Sequence, residues 1–280
     1  MLDATTNLHA RRDAFLAVVA QRRALMGILN VTPDSFSDGG RFDTVQAAIA
    51  QARAMVAAGA DIVDVGAEST RPGHIPISAE QEIARLEKLL PPLLAAIDAP
   101  CSIDTYKAAT ARYATKLGVA VVNDIWGLQR DAGMADAVAE AGAAVVVMHN
   151  RDEKESDLDI VADMKRFFDR SLALASRAKI PQAHVMLDPG IGFGKTKEQN
   201  LRALRATDEL AKTYGLPVLI GVSRKSLLGL LLLGAEVDAR LIGTLAANLA
   251  CAARGARIFR VHDVAEHKAA FAVLDAIDNA

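Results

Sequence analysis

A chain of 280 residues in which 51% of side chains are hydrophobic and 24% charged has the composition of a folded protein, not a disordered one, and can bury roughly three quarters of its unfolded surface. Its 32 basic and 34 acidic side chains leave a net charge of −2, so no whole-molecule field recommends a nucleic acid or a membrane surface as partner. The longest apolar run, from Leu227 to Ala235, is far short of the ~18 residues that a bilayer span needs, and two cysteines, Cys101 and Cys251, cannot build a disulfide framework, which points to the reducing cytoplasm.

In chain order, residues 1–23 predict an amphipathic lead-in helix. The apolar stretch 14–20 runs from Arg11-Arg12 straight into Arg22-Arg23, without the small-residue cleavage site of a signal peptide. Short apolar runs then alternate with helical patterns. Strands are predicted over 25–30, 61–66, 101–104, 119–124, 143–149, 184–188, 217–222 and 257–262. They are continuous apolar runs, as expected for strands buried on both faces of a parallel sheet. Helical spacing covers 45–58, 79–97, 106–117, 134–141, 161–178, 200–213 and 241–253. Gly59, Gly118, Gly142, Gly215 and Gly255 fall where helix C-terminal glycines belong. Eight strand–helix units predict one domain over residues 1–280, a (β/α)8 TIM barrel occupying 24–280. An open doubly wound sheet is the runner-up. The run from Leu227 to Leu233 reads as a buried helix, with a subunit surface as the alternative.

Polar residues gather where the strands end: Asn30, Asp64, Asp104, Asn123-Asp124, Met148-His149, Asp188, Ser223-Arg-Lys-Ser226 and Arg260-Val-His262. In a closed barrel these ends share the rim that carries active sites. One such Asp is often only a helix cap, and Asp124 is the obvious example; eight together point to a site. Arg71, Lys225, Arg260 and His262 are suited to phosphate oxygens, and the backbone N–H groups of a helix opening at 223–226 favour an anion. Asp64, Asp104 and Asp188 are acceptors. A ligand matching both sets has an anionic tail and a donor-rich head, such as an amino-substituted nitrogen heterocycle. Gly194-Lys195-Thr196 resembles the end of a phosphate loop, but the required glycine five positions earlier is Pro189. Gly190, Gly192 and Gly194 likewise miss dinucleotide spacing, and the histidines and cysteines lack zinc-ligand spacing.

Several long segments in order resemble the dihydropteroate synthase family. They are Met26-Gly-Ile-Leu-Asn-Val-Thr-Pro-Asp-Ser-Phe-Ser-Asp-Gly-Gly40, Asp64-Val-Gly-Ala-Glu-Ser-Thr-Arg-Pro-Gly73, Ser102-Ile-Asp-Thr-Tyr-Lys107, Asn123-Asp-Ile125, Asp188-Pro-Gly-Ile-Gly-Phe-Gly-Lys195, Ser223-Arg-Lys-Ser226 and Arg260-Val-His-Asp-Val264. Residues 1–25 lie outside the resemblance. It implies a (β/α)8 barrel that joins 6-hydroxymethyl-7,8-dihydropterin diphosphate to p-aminobenzoate, releasing pyrophosphate, with Mg²⁺ as cofactor and a homodimer as assembly. Carried over by motif, Asp104, Asn123, Met148, Asp188 and Lys225 resemble the pterin-binding set. Asn30 matches the magnesium ligand, and Asn30, Arg71, Arg260 and His262 the diphosphate set. Thr70, Pro72, Phe193 and Ser226 match the p-aminobenzoate positions, with core packing the alternative for Met148 and Phe193. Asp104, Lys225, Arg260 and His262 are the implied catalytic residues.

The implied mechanism is dissociative, with C–O cleavage preceding attack by the amine. Two places depart from the family pattern: Gly66-Ala67 replaces a pair of glycines, and Asn150-Arg151-Asp152 follows the fifth strand. Other readings are a methylfolate-dependent methyltransferase, a non-catalytic pterin-binding homologue, and a Schiff-base aldolase using Lys225. The first has no need of the anion-binding segments present here.

Overall fold

Strands that are apolar on both faces require cover on both sides, and a barrel wrapped in helices supplies it. The computed structural model describes residues 4–31, 41–68 and 75–280. The strands are β1 (Ala24–Asn30), β2 (Ile62–Gly66), β3 (Cys101–Asp104), β4 (Val121–Asp124), β5 (Ala144–Met148), β6 (Val185–Asp188), β7 (Leu219–Ile220) and β8 (Ile258–Val261). The helices are α1 (Ala4–Gln21), α2 (Arg41–Ala57), α3 (Ala79–Ala96), α4 (Ala108–Lys116), α5 (Met134–Ala141), α6 (Ile160–Arg177), α7 (Lys197–Arg205), α8 (Thr207–Tyr214), α9 (Ser226–Leu231), α10 (Leu241–Ala252) and α11 (Val264–Asp278).

All strand pairings are parallel, in the order β6-β5-β4-β3-β2-β1-β8-β7. A Leu187–Val218 bridge joins β6 to β7 and closes the ring, with the Leu187 N–H donating to the Pro217 carbonyl at 2.9 Å. The predicted barrel is therefore the observed one, not the open sheet.

The lead-in helix has a structural task. Phe15 and Val19 pack with Ala24, Met26, Ile62, Ala120, Val121, Ala144, Val146, Met186, Leu219 and Ile258, residues from the beginnings of the strands and the barrel interior. The helix thus closes the end of the barrel opposite the rim. Arg11 donates to the carbonyls of Leu94 and Ile97, both at 3.3 Å, satisfying groups that the end of α3 leaves without helical partners.

Several predicted elements differ in detail. The helix over 200–213 is two helices meeting at Ala206, because the Thr207 hydroxyl donates back to the Leu204 carbonyl at 2.7 Å and competes with the backbone ladder. The strand over 217–222 shortens to Leu219–Ile220. The leucine run is not a buried helix: Leu227 and Leu228 are buried, but Leu230 is 64% and Leu233 99% exposed, since one helix offers only one face to a barrel. Among the described residues no helix is long and apolar enough to cross a membrane.

Because Phe15 is buried to 1% exposure among residues drawn from the barrel interior, Phe15→Ala should lower the unfolding free energy by about 3–5 kcal/mol. A urea titration monitored by circular dichroism measures the loss, and an unchanged midpoint would show that the helix is dispensable to the barrel.

Candidate active site

Parallel pairing sets the strand ends side by side: Asn30 opposite Gly66, Asp104 opposite Asn123, and Met148 opposite Asp188. Arg260, on β8, reaches across this mouth. Its Nε donates to Asp64 Oδ2 at 2.6 Å and its Nη2 to Asp104 Oδ2 at 2.8 Å. Asp64 is fully buried and also accepts from the Ser102 hydroxyl at 2.6 Å and the Asn123 amide at 3.1 Å. It therefore orients Asn123 and Arg260 instead of facing a ligand. The other oxygen of Asp104, Oδ1, is buried without a hydrogen-bond partner. A buried acceptor left in that state is costly and marks a place where a donor belongs. Burial pushes the Asp104 carboxyl up to about 7, against the pull of Arg260 and with a push from Asp64 and Glu82.

Asp188 uses Oδ1 to accept from the Gly190 N–H at 2.7 Å, and burial raises its carboxyl, opposed mainly by Lys225. Lys225 donates to the Ile191 carbonyl at 2.7 Å and lies 4.7 Å from the centre of the Phe193 ring. Burial brings its ammonium down to about 8, with Asp188 resisting. Phe193 is half-buried at the rim, not in the core, whereas Met148 is buried at the end of β5. Ser223 Oγ lies 3.0 Å from His262 Nδ1 and accepts the His262 N–H at 3.2 Å, joining the last two strand ends. Arg224 takes a left-handed φ of 56°; its N–H donates to Thr244 Oγ1 at 3.1 Å and its Nε to Asp263 at 3.0 Å, which holds this strained turn in place. Ser226, the first residue of α9, is exposed. Asn30 Oδ1 lies close against Gly66, 3.3 Å from where a Cβ would stand there.

Structure thus brings Asp104, Asn123, Met148, Asp188, Lys225, Arg260, His262, Asn30, Phe193 and Ser226 to one rim, while Thr70, Arg71 and Pro72 lie outside the described residues. Two strand ends serve the fold. Asp124 accepts from the N–H groups of Trp126 and Leu128 at 2.8 and 2.6 Å; it holds the turn after β4 and is not the helix cap expected, since the next helix starts at Met134 with Gly133 as its N-cap. His149 turns away from the rim to pair with Asp163 at 3.1 Å, and burial lowers it to about 4, so it stays neutral. Arg151, in the divergent segment, joins the same Asp163 at 2.7 Å.

Behind Asp104 stands a group that the sequence did not reveal. Fully buried Glu82 on α3 accepts from Lys107 at 3.0 Å, Thr105 at 3.2 Å and Thr110 at 2.9 Å, and Lys107 also meets Glu68. An acidic residue in the first turn of a helix reads as a solvated one, so no local signal points to it. Among the described residues no group of three or more His, Cys, Asp or Glu side chains could hold a metal ion.

Residues 26–262 match the family described as pterin binding enzyme. The chain is 42% identical over 260 residues to a dihydropteroate synthase of Clostridium beijerinckii, covering 92% of this chain and 96% of that one. A dihydropteroate synthase of Clostridium difficile, solved in the presence of pteroic acid, matches with a TM-score of 0.88 and 46% identity, over 92% of this chain and 97% of its own. The Xanthomonas albilineans dihydropteroate synthase in complex with 7,8-dihydropteroate matches with a TM-score of 0.85 and 38% identity, over 93% and 95%.

Removing the cation of the triad should expose its electrostatic cost. Arg260→Met leaves Asp64 and Asp104 facing each other unpaired and is expected to destabilise the fold by about 3–5 kcal/mol above pH 8. Asp104, already raised to about 7 beside Arg260, holds its proton still more tightly without that cation, whereas the unfolded chains of variant and wild type titrate alike. The loss should therefore shrink as pH falls to about 7 and below, where Asp104 takes up its proton in both folded proteins. Denaturant titrations at several pH values check this; a loss independent of pH would refute the electrostatic origin.

Proposed function

The chain belongs to the pterin-binding enzymes and, within them, to the dihydropteroate synthases, and we infer that it is the transferase joining 6-hydroxymethyl-7,8-dihydropterin diphosphate to p-aminobenzoate, with release of pyrophosphate and formation of 7,8-dihydropteroate. The observation that carries this function is the unpartnered Oδ1 of Asp104. Asp104 pairs in register with Asn123 on the neighbouring strand, feels the charge of Lys225, and has its other oxygen committed to Arg260. A pterin offers an amino group and ring N–H groups to Asp104 and Asp188, and acceptors to Asn123 and Lys225. Met148 supports the ring from β5.

Arg71, Arg260 and His262 hold the diphosphate. Nε and Nη2 of Arg260 are occupied by the two carboxylates, which leaves its third nitrogen for a phosphate oxygen. Asn30 supplies a single neutral oxygen at the rim, and no acidic cluster accompanies it among the described residues. That donor set fits Mg²⁺, which keeps much of its water and takes further oxygens from substrate phosphates. When bound there by Asn30, it neutralises charge on the leaving diphosphate.

Cleavage of the C–O bond sends the electron pair to pyrophosphate and leaves a cation delocalised into the pterin. The Asp104 carboxylate faces that developing charge, while Arg260 and Lys225 stabilise the opposite charge on the leaving group. The neutral amine of p-aminobenzoate then attacks the exocyclic carbon and gives up a proton to solvent. Thr70, Pro72 and Phe193 flank the p-aminobenzoate ring, and Ser226 receives its carboxylate. The enzyme works as a homodimer in the cytoplasm: buried, unpaired Cys101 and Cys251 suit a reducing compartment, and Leu230, Leu233 and Ile242 offer exposed apolar surface to a second subunit.

Pyrophosphate release from the pterin diphosphate with Mg²⁺, measured with and without p-aminobenzoate, is the direct test. Release coupled to dihydropteroate, with kcat/KM reduced about 10²–10³-fold in Lys225→Ala, is expected. Folded protein that binds the pterin but makes no product would point instead to a non-catalytic homologue. The pH profile of kcat/KM for the pterin substrate should be bell-shaped. It is lost below about 7 as Asp104 protonates, and above about 8 as Lys225 loses its charge. A flat profile between pH 6 and 9 would remove both groups from binding.

A further inference from the structure

Lys195 is one of the largest fully buried side chains in the protein, with 2% of its surface exposed, and it touches none of the residues assigned to pterin or diphosphate through a hydrogen bond of its side chain. The phosphate-loop likeness of Gly194-Lys195-Thr196 dissolves in the structure. Thr196 is the N-cap of α7, accepting from the Gln199 N–H at 3.2 Å, while Gln199 Oε1 accepts the Thr196 N–H at 2.9 Å. Lys195 turns the other way, beneath the segment 189–194. Its three ammonium hydrogens meet three backbone carbonyls: Gly190 at 2.9 Å, Phe193 at 3.1 Å and His149 at 3.4 Å.

The segment is shaped to bring those carbonyls inward. Gly190, at φ 66°, presses so close to the His149 carbonyl that any Cβ would collide with backbone. From the far side Asn200 accepts the Gly192 N–H at 2.7 Å and donates to the Thr196 carbonyl at 2.8 Å. Burying an ammonium here is costly, and it brings Lys195 down to about 7; Asp188 and Asp163 favour the charge, whereas Lys225 and Arg151 oppose it. The carbonyl grip is what offsets that cost. Phe193 is therefore held from below through its own carbonyl, while its ring lies under Lys225 on the ligand side.

We propose that Lys195 is a positioning residue for the second substrate: its ammonium clasps the segment 189–194 and fixes Phe193 against p-aminobenzoate. The role deepens the synthase function above and rests on it. Of the polar pterin contacts, Asp104 and Asn123 stand on β3 and β4, away from the clasp, whereas Asp188 and Lys225 bond Gly190 and Ile191 within the segment, so loss of the clasp should weigh more on p-aminobenzoate than on the pterin.

The test uses Lys195→Met, which keeps most of the apolar stem without the donors, and Asn200→Ala, which loosens the same segment from the opposite side. Removing hydrogen bonds from a charged donor should raise KM for p-aminobenzoate about tenfold, with KM for the pterin diphosphate changed by less than about threefold. Hydrogen exchange followed by mass spectrometry should show amides of 189–194 exchanging faster while the strands keep their protection. If Lys195→Met fails to fold, Asn200→Ala carries the same expectation with a smaller effect. Equal rises in both KM values, or unchanged exchange in 189–194, would overturn the proposal. Wild-type protein that forms no dihydropteroate would instead overturn the synthase function, and an active wild type with unresponsive variants would overturn the role of Lys195 alone.

Discussion

Everything at the mouth of the barrel depends on one cation shared between two carboxylates. Arg260 bonds Asp64 on β2 and Asp104 on β3, yet β8 neighbours neither strand: β1 stands between β8 and β2. Only a sheet curled into a ring lets a β8 side chain cross its own interior to reach β3. The ion triad and the fold are thus one constraint. The barrel makes the triad possible, and the triad makes it tolerable to place two carboxylates in a desolvated interior. The division of labour follows from saturation. Asp64, with its oxygens taken by Arg260, Ser102 and Asn123, is scaffold. Asp104, with one oxygen left over, is site.

How much of this the sequence makes legible differs by level. The strands are legible because burial on both faces leaves an unbroken apolar run. Their limits are not, because pairing partners determine them: Val119 and Ala120 are as buried as Val121 yet precede β4. The break at Ala206 depends on one hydroxyl bonding back to a carbonyl, which no periodicity encodes. The leucine run has the composition of a buried helix whether or not its second turn has anything to pack against. At the site, Asp104, Asn123, Asp188 and Lys225 are legible as polar strand ends and by likeness to a family. Glu82 and Lys195 are not, since burial alone distinguishes them from ordinary surface charges.

Lys195 and Lys225 show how the same side chain divides between these roles. Both lie against the segment after β6, and both have ammonium groups made less basic by burial. Lys195 faces three carbonyls and has no donor to spare. Lys225 spends one hydrogen on the Ile191 carbonyl and keeps the rest for the rim. A segment gripped by cations from both sides is a rigid wall, and a rigid wall is what an aromatic ring needs in order to be held at a reacting distance.

The mouth is also poised by its own desolvation. Burial has moved Asp104 up and Lys225 down until each lies close to neutral pH, so each charge is held only weakly before a ligand arrives. A heterocycle that donates to Asp104 would favour its ionised form, and an acceptor on the same ring beside Lys225 would favour its ammonium. One ring offering both edges would restore both charges together, releasing a proton at the first group and retaining one at the second, so the proposed pterin contacts and the burial of the two groups support each other.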